Sequence, residues 1–202
     1  MKKQKVGIYG GTFNPPHIGH IGAAKAFIKD AELDKLFIIP SFIPPHKFFR
    51  GEATVKQRVH MCELAFGDIE KTEISNLEID RGGKSYTYLT LEELSSPNSD
   101  LYMLIGTDMF LTLEEWNYPE KIFNLANICY IRRESDTKLT EEIEAAIVRY
   151  TEKYGARIYE IKAPVIEISS SELRSMYKGG QDTSEYISRA VSEYIRNEGL
   201  YE

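Results

Sequence analysis

Two of the chain's four histidines, His17 and His20, close the stretch Gly10-Gly11-Thr12-Phe13-Asn14-Pro15-Pro16-His17-Ile18-Gly19-His20. Imidazoles three residues apart share one side of a helical turn, where each can donate a hydrogen bond to a phosphate oxygen or carry positive charge beside it. The apolar run Val6-Gly7-Ile8-Tyr9 precedes the stretch, and Ile21, Ala24, Phe27, Ile28 and Ala31 follow it at helical spacing. The order is therefore strand, glycine loop, helix. A helix start carries unpaired N–H groups and a partial positive charge, so an anion sits there at low cost. Gly10 and Gly11 are expected to take positive φ and admit a close approach, while Pro15 and Pro16 stiffen the loop. The stretch reads as a nucleotide-phosphate cradle. Two plainer readings compete with it. Zinc ligation by His-x-x-His lacks a completing cluster, because Cys62 and Cys129 stand alone. A solvated turn would suit a lone glycine pair but not so dense a pattern.

Four later stretches carry matching chemistry. In Pro40-Ser41-Phe42-Ile43-Pro44-Pro45-His46-Lys47, the stiff Pro-Pro segment presents His46 and Lys47 as a polar tip, with Lys47 a point charge for a phosphate. Gly82-Gly83-Lys84-Ser85-Tyr86-Thr87 leads into a helical stripe, with Ser85 or Thr87 as the expected N-cap. Leu104-Ile105-Gly106-Thr107-Asp108 ends a buried strand with a carboxylate, and Trp116 follows among the polar residues Glu114, Glu115, Asn117 and Tyr118. A sole tryptophan usually belongs to the core, but here its face is expected to meet a flat ligand. Asp108 would repel a phosphate and is assigned to hydroxyl groups. Last, Ser169-Ser170-Ser171-Glu172-Leu173-Arg174 enters a helix and reads as a second anion site gripped by Arg174, with an ordinary capping box from Ser169 to Glu172 as the competing reading.

Positioning these residues requires alternating strands and helices. The sequence predicts strands over 5–9, 35–39, 72–79, 101–105, 127–132 and 157–161, and helices over 18–31, 54–66, 87–95, 119–125, 139–154, 171–178 and 184–197. That alternation implies an α/β fold, a Rossmann-like doubly wound parallel sheet with helices on both faces, formed by residues 1–202 as one domain. Each motif is expected at a strand's end. His60 reads as structural, and the stretch 184–197 could pack on its own core or, as a homo-oligomer contact, on a neighbouring copy.

Composition restricts the function classes. At 202 residues and 42% hydrophobic content the chain can bury an ordinary core, and it holds no 18-residue apolar span. The basic start Met1-Lys2-Lys3-Gln4-Lys5 is followed by only four apolar-run residues, too few for a signal peptide. The two cysteines suit a reducing, cytoplasmic setting, and a net charge of −6 argues against nucleic-acid binding over a broad surface.

The glycine stretch resembles the opening motif of the HIGH-type nucleotidyltransferases, and more closely that of the bacterial nicotinate-nucleotide adenylyltransferases, Gly-Gly-Thr-Phe-Asp-Pro-x-His-x-Gly-His. Asn14 stands at the Asp position. The resemblance extends over nearly the whole chain through Ser85-Tyr86-Thr87, Gly106-Thr107-Asp108 with Trp116, and Ile168-Ser169-Ser170-Ser171-Glu172-Leu173-Arg174. Departures are Leu89 for a family Asp, Ser171 for Thr, and Glu134-Ser135 for a Pro-Gly after Arg133. It implies adenylyl transfer from ATP to nicotinate mononucleotide, with magnesium accompanying ATP and no direct protein ligands for it. Under it, His17, His20, Lys47 and Arg174 are the catalytic group. ATP is assigned to Gly10, Gly11, Thr12, Phe13, Gly19, His20, Gly106, Asp108, Arg133, Ser169, Ser170, Ser171 and Arg174. The mononucleotide is assigned to Thr12, His46, Lys47, Ser85, Tyr86, Thr87, Asp108 and Trp116, with Trp116 stacking on the pyridine ring. Arg58 also has a family counterpart. A phosphopantetheine adenylyltransferase would share the first and last motifs but lack the segment from Gly106 to Trp116. A non-catalytic nucleotide sensor would dispense with the four charge-stabilising groups. Membranes and nucleic acids are not expected partners.

Overall fold

The computed structural model describes residues 2–45, 53–132, 138–163, 166 and 168–202. The strands are β1 (Gln4–Gly11), β2 (Lys35–Pro40), β3 (Thr72–Ile74), β4 (Ser99–Gly106), β5 (Ala126–Ile131) and β6 (Ile158–Ile161). The helices are α1 (Ile18–Asp30), α2 (Val55–Phe66), α3 (Leu77–Arg81), α4 (Thr87–Leu94), α5 (Thr107–Leu111), α6 (Pro119–Leu125), α7 (Lys138–Tyr154), α8 (Ser170–Lys178) and α9 (Arg189–Asn197), with a 3-10 turn at Leu113–Glu115. The strands form a six-stranded sheet in the order β3-β2-β1-β4-β5-β6, every neighbouring pair parallel. The expected doubly wound α/β sheet is the observed one.

Alternate residues of each central strand feed opposite faces, so the strands read as continuous apolar runs. Val6, Ile8, Leu101, Met103, Ile105, Ile128 and Tyr130 meet α4 to α7 through Leu91, Phe110, Ile122, Phe123, Ile143 and Tyr150. Tyr9, Leu36, Ile38, Leu104, Cys129 and Ile131 meet α1 and α2 through Phe27, Cys62 and Phe66. A Cβ on Gly7 would collide with Leu33 and Leu36, so glycine there lets this layer close on the sheet. The apolar cluster of Met61, Val191, Ile195, Leu200 and Tyr201 joins the outside of α2 to α9 and the turn after it.

Strand order reverses between β1 and β4. Successive connections run one way from β1 through β3 and the other way from β4 through β6, so their loops part and leave a crevice at the carboxyl ends of the central strands. Gly11 sits beside Pro40 in the register, which brings the glycine loop and the Pro40 segment out together.

Several boundaries differ from the sequence-based reading. The strand expected over 72–79 ends at Ile74, because the backbone after Ser75 turns into α3, with Asp80 N–H bonding back to Asn76 O. Helix α5 was not predicted, since its five residues are too few to show a period. The helix expected over 184–197 begins at Arg189: Ser188 caps it, while Tyr186 O accepts from Ile18 N–H and closes the start of α1. The motif at Gly82–Thr87 follows α3 and not a strand, although Lys84 pairs with Ile43 in an isolated parallel bridge.

Candidate active site

A cavity of about 510 Å³ opens at the crevice, within the usual range for a small-molecule site. The glycine loop, the starts of α1 and α8, Ser85, Tyr86, Thr87, Trp116 and the residues from Met103 to Gly106 all line it.

The glycine loop differs in detail from expectation. Among the described residues of this loop, positive φ occurs at Phe13 (48°) and not at Gly10 or Gly11. Phe13 is held there by packing against Tyr9, His20 and Phe66, with ring centroids 5.2–5.6 Å apart. Gly11 makes room for the Phe13 ring, which a Cβ would meet at 2.9 Å. A Cβ on Gly10, which borders the cavity, would meet nothing within 4 Å. Gly19 does not line the cavity; a Cβ on it would meet the His17 ring at 3.0 Å, so its role is to seat that imidazole.

His17 is the N-cap residue of α1 and is 7% exposed. Its backbone N–H donates to His20 Nδ1 at 3.1 Å, and the two rings lie 3.7 Å apart between centroids. A backbone N–H can only donate, so Nδ1 of His20 must hold a lone pair and the neutral ring carries its proton on Nε2. Protonation of Nδ1 would break this bond. The geometry thus favours His20 as a neutral hydrogen-bond donor over a cation.

Helix α8 approaches the loop from the far side. Ser170 Oγ donates to Pro15 O at 2.9 Å and Arg174 Nη1 to Asn14 O at 2.9 Å. Arg174 Nη2 lies 3.5 Å from Ser171 Oγ. The capping box does form: Glu172 N–H donates to Ser169 Oγ at 3.1 Å, and Ser169 N–H and Oγ both donate to Glu172 Oε2, at 2.8 and 2.6 Å. Ser169 borders the cavity with its hydroxyl committed to the helix start, as that of Ser170 is committed to Pro15 O. From below, the fully buried Arg58 donates through Nη1 to Thr12 O at 2.8 Å and through Nη2 to Ser41 O at 2.6 Å. Burial pushes its guanidinium pKa down from the usual value.

Ser85 is stitched to the loop after β2. Its Oγ accepts from Phe42 N–H and its own N–H donates to Ile43 O, both at 2.9 Å. Neither Ser85 nor Thr87 caps α4; Tyr86 holds the cap position without a side-chain bond. Glu78, 7% exposed on α3, borders the cavity and accepts from Thr90 Oγ1 at 2.7 Å, while Arg81 Nη2 donates to the same hydroxyl at 3.0 Å. Leu89, at the family Asp position, does not line the cavity.

Asp108 is exposed in α5 and Trp116 half-buried after the 3-10 turn, both lining the cavity. Glu114 ties that turn to α7: it accepts from Arg149 Nε at 2.6 Å, Lys153 Nζ at 2.9 Å and Tyr154 Oη at 3.1 Å. The Lys153 and Arg149 bonds hold its carboxyl down at about 2. Tyr118, in the left-handed region (φ 55°), packs on Tyr88 at 4.7 Å, and Lys121 lies 5.1 Å from both rings. His46, Lys47 and Arg133 lie outside the described residues. His60 is remote from the cavity, against Glu63 and Tyr194.

Sequence reasoning passed over Glu78 and Tyr201 and gave Arg58 only a family counterpart. A carboxylate, a tyrosine and an arginine on helical or turn segments carry no local signal of burial, and only the fold brings them to the site.

The cytidylyltransferase-like family model matches residues 8–176. A probable nicotinate-nucleotide adenylyltransferase of Lachnoclostridium phytofermentans is 36% identical, with 98% of this chain and 99% of the relative covered. One of Listeria monocytogenes is 34% identical over 98% of each chain. This chain belongs to the nicotinate-nucleotide adenylyltransferase family. Its fold matches the Plasmodium falciparum nicotinic acid mononucleotide adenylyltransferase complexed with NaAD, with a TM-score of 0.75, 20% identity, and 98% and 97% of the two chains covered. Membership in the family makes it an enzyme of the nucleotidyltransferase type. Among the described residues no helix is long and apolar enough to cross a membrane.

Proposed function

We propose that the protein transfers the adenylyl group of ATP to nicotinate mononucleotide, releasing pyrophosphate and forming deamido-NAD in the cytoplasm. The observation that carries this reading is one cavity lined both by two helix starts with Arg174 and by Trp116 with Ser85-Tyr86-Thr87. A dinucleotide product needs such a pair of neighbouring compartments. The activity for which its relatives are named supports the choice of nucleotides.

Charge dictates the division of labour. The mononucleotide phosphate is largely dianionic near neutral pH, its second pKa being about 6, and is itself the nucleophile. Its oxygen forms a bond to the α-phosphorus of ATP as the bond to pyrophosphate breaks in line on the far side. No proton need be removed. The protein's task is to align the two anions and to neutralise developing charge. In this reading His20 donates through Nε2, Arg174 offers its fork of donors to non-bridging oxygens, and His17 completes the helix-start site. Asp108 takes ribose hydroxyls and Trp116 the pyridine face. His46, Lys47 and Arg133 keep the roles that the family resemblance implies.

Among the described residues no group of three or more His, Cys, Asp or Glu side chains could cage a metal. Asp108 and Glu78 are carboxylates on the cavity wall, which fits magnesium carried mainly by ATP phosphates. When bound it would offset phosphate charge.

Pyrophosphate release from ATP and magnesium, with nicotinate mononucleotide, nicotinamide mononucleotide and phosphopantetheine as parallel acceptors, tests the reading. Strong preference for nicotinate mononucleotide is expected. Equal use of both pyridine nucleotides would remove the claim of selectivity, and activity only with phosphopantetheine would overturn the assignment.

A further inference from the structure

Resting on that reading, we infer that Tyr201 is a positioning residue for the glycine loop, linking the turn after α9 to the anion site through Asn14. Tyr201 Oη donates to Asn14 Oδ1 at 2.5 Å, across 187 residues of sequence. Both partners are buried, at 3% and 5% exposure. Asn14 O is also the carbonyl that Arg174 grips at 2.9 Å. One residue therefore connects the C-terminal turn to the side chain proposed to hold phosphate oxygens.

The turn is built to present this phenol. Gly199 and Tyr201 take positive φ, 60° and 68°, and Leu200 N–H bonds back to Ile195 O. The Tyr201 ring sits in the apolar cluster with Met61, Val191 and Ile195. The ring alone would fill that space, so the cluster explains an aromatic residue but not its hydroxyl. What the hydroxyl adds is an anchor for Asn14.

Three loop carbonyls are fixed from two helices: Thr12 O by Arg58 on α2, and Asn14 O and Pro15 O by Arg174 and Ser170 on α8. Because a trans peptide sets N–H opposite the preceding C=O, the Arg58 bond turns Phe13 N–H away from the guanidinium. Tyr201 bonds the side chain of Asn14, and so fixes that residue in rotation as well as in place. The alignment of reacting oxygens is sensitive to shifts below an ångström, so a loosened Asn14 would act on turnover before it acts on binding.

Tyr201→Phe removes only the hydroxyl. The expected result is a fall in kcat of about tenfold, the worth of one buried hydrogen bond, with KM for ATP and the mononucleotide within about twofold. Asn14→Ala should reproduce that fall, and the double variant should be little worse than either single one. Hydrogen exchange gives a readout independent of turnover. In Tyr201→Phe the Thr12 to Asn14 amides should exchange faster while those of α2 and α9 keep their protection. A purely structural hydroxyl would instead loosen α2 and α9 together and give additive variants. Unchanged kcat and unchanged loop exchange would overturn the inference. If the wild-type protein prefers a different acceptor, the functional reading fails while the same comparison, made on that acceptor, still decides the role of Tyr201.

Discussion

At the glycine-loop end of the cavity, Phe13, Asn14 and His17 are 2%, 5% and 7% exposed, and Arg58, Ser170 and Arg174 each donate to a loop carbonyl. Ser85 and Glu78 on the same cavity are likewise buried, but beside Trp116 the neighbouring Tyr118 is 52% exposed, and the Trp116 segment is secured by charged side chains, through Glu114 to α7 and through Lys121 to Glu92. Bonds to backbone carbonyls in a buried setting fix position closely. Exposed ion pairs tolerate adjustment and are screened by salt. The contrast matches the two tasks: in-line transfer depends on fixed geometry, whereas accepting and releasing a flat ring is compatible with a surface that yields.

Arg58→Met is the harshest break in the rigid end. It leaves Thr12 O and Ser41 O without their charged donor in a buried site and should lower unfolding stability by about 3 kcal/mol, measured by urea denaturation. A loss below about 1 kcal/mol would show that the loop does not depend on this clamp. At the other end Trp116→Ala should raise KM for the mononucleotide about tenfold, the value of one stacked ring, with kcat within about threefold. A selective loss of kcat would instead place Trp116 with the chemistry.

The smallest effect concerns Glu114. Its pKa is held at about 2 against an ordinary 4.5, so its contribution is complete above 4.5 and is lost as pH falls towards about 2. Glu114→Gln should cost about 1 kcal/mol at neutral pH, and the gap in urea midpoint from wild type should narrow through that window. A gap that does not change with pH would mean the ion pairs contribute nothing to stability.

The sequence carried the fold class and the motifs because both rest on local signals: apolar runs of strand length, helical spacing, and glycine, proline and hydroxyl residues at element ends. The reversal of strand order then brought the described motif residues into one cavity. Less legible were the contacts that hold those motifs. Arg58 sits in a helix whose pattern shows no reason for a buried charge, and Tyr201 meets Asn14 across 187 residues of sequence. Positive φ fell on Phe13 because aromatic packing can support a strained backbone, a long-range effect that a preference for glycine does not reveal. At Ser169 the capping box that the local pattern offers does form.

On this reading turnover resides in the buried loop end, and kcat and KM of His20→Ala with nicotinate mononucleotide decide it. Loss of a donor to developing charge predicts a kcat about a hundredfold lower with KM for the mononucleotide within about threefold. A wild-type kcat with weaker substrate binding would contradict it, and would make His20 a binding group only.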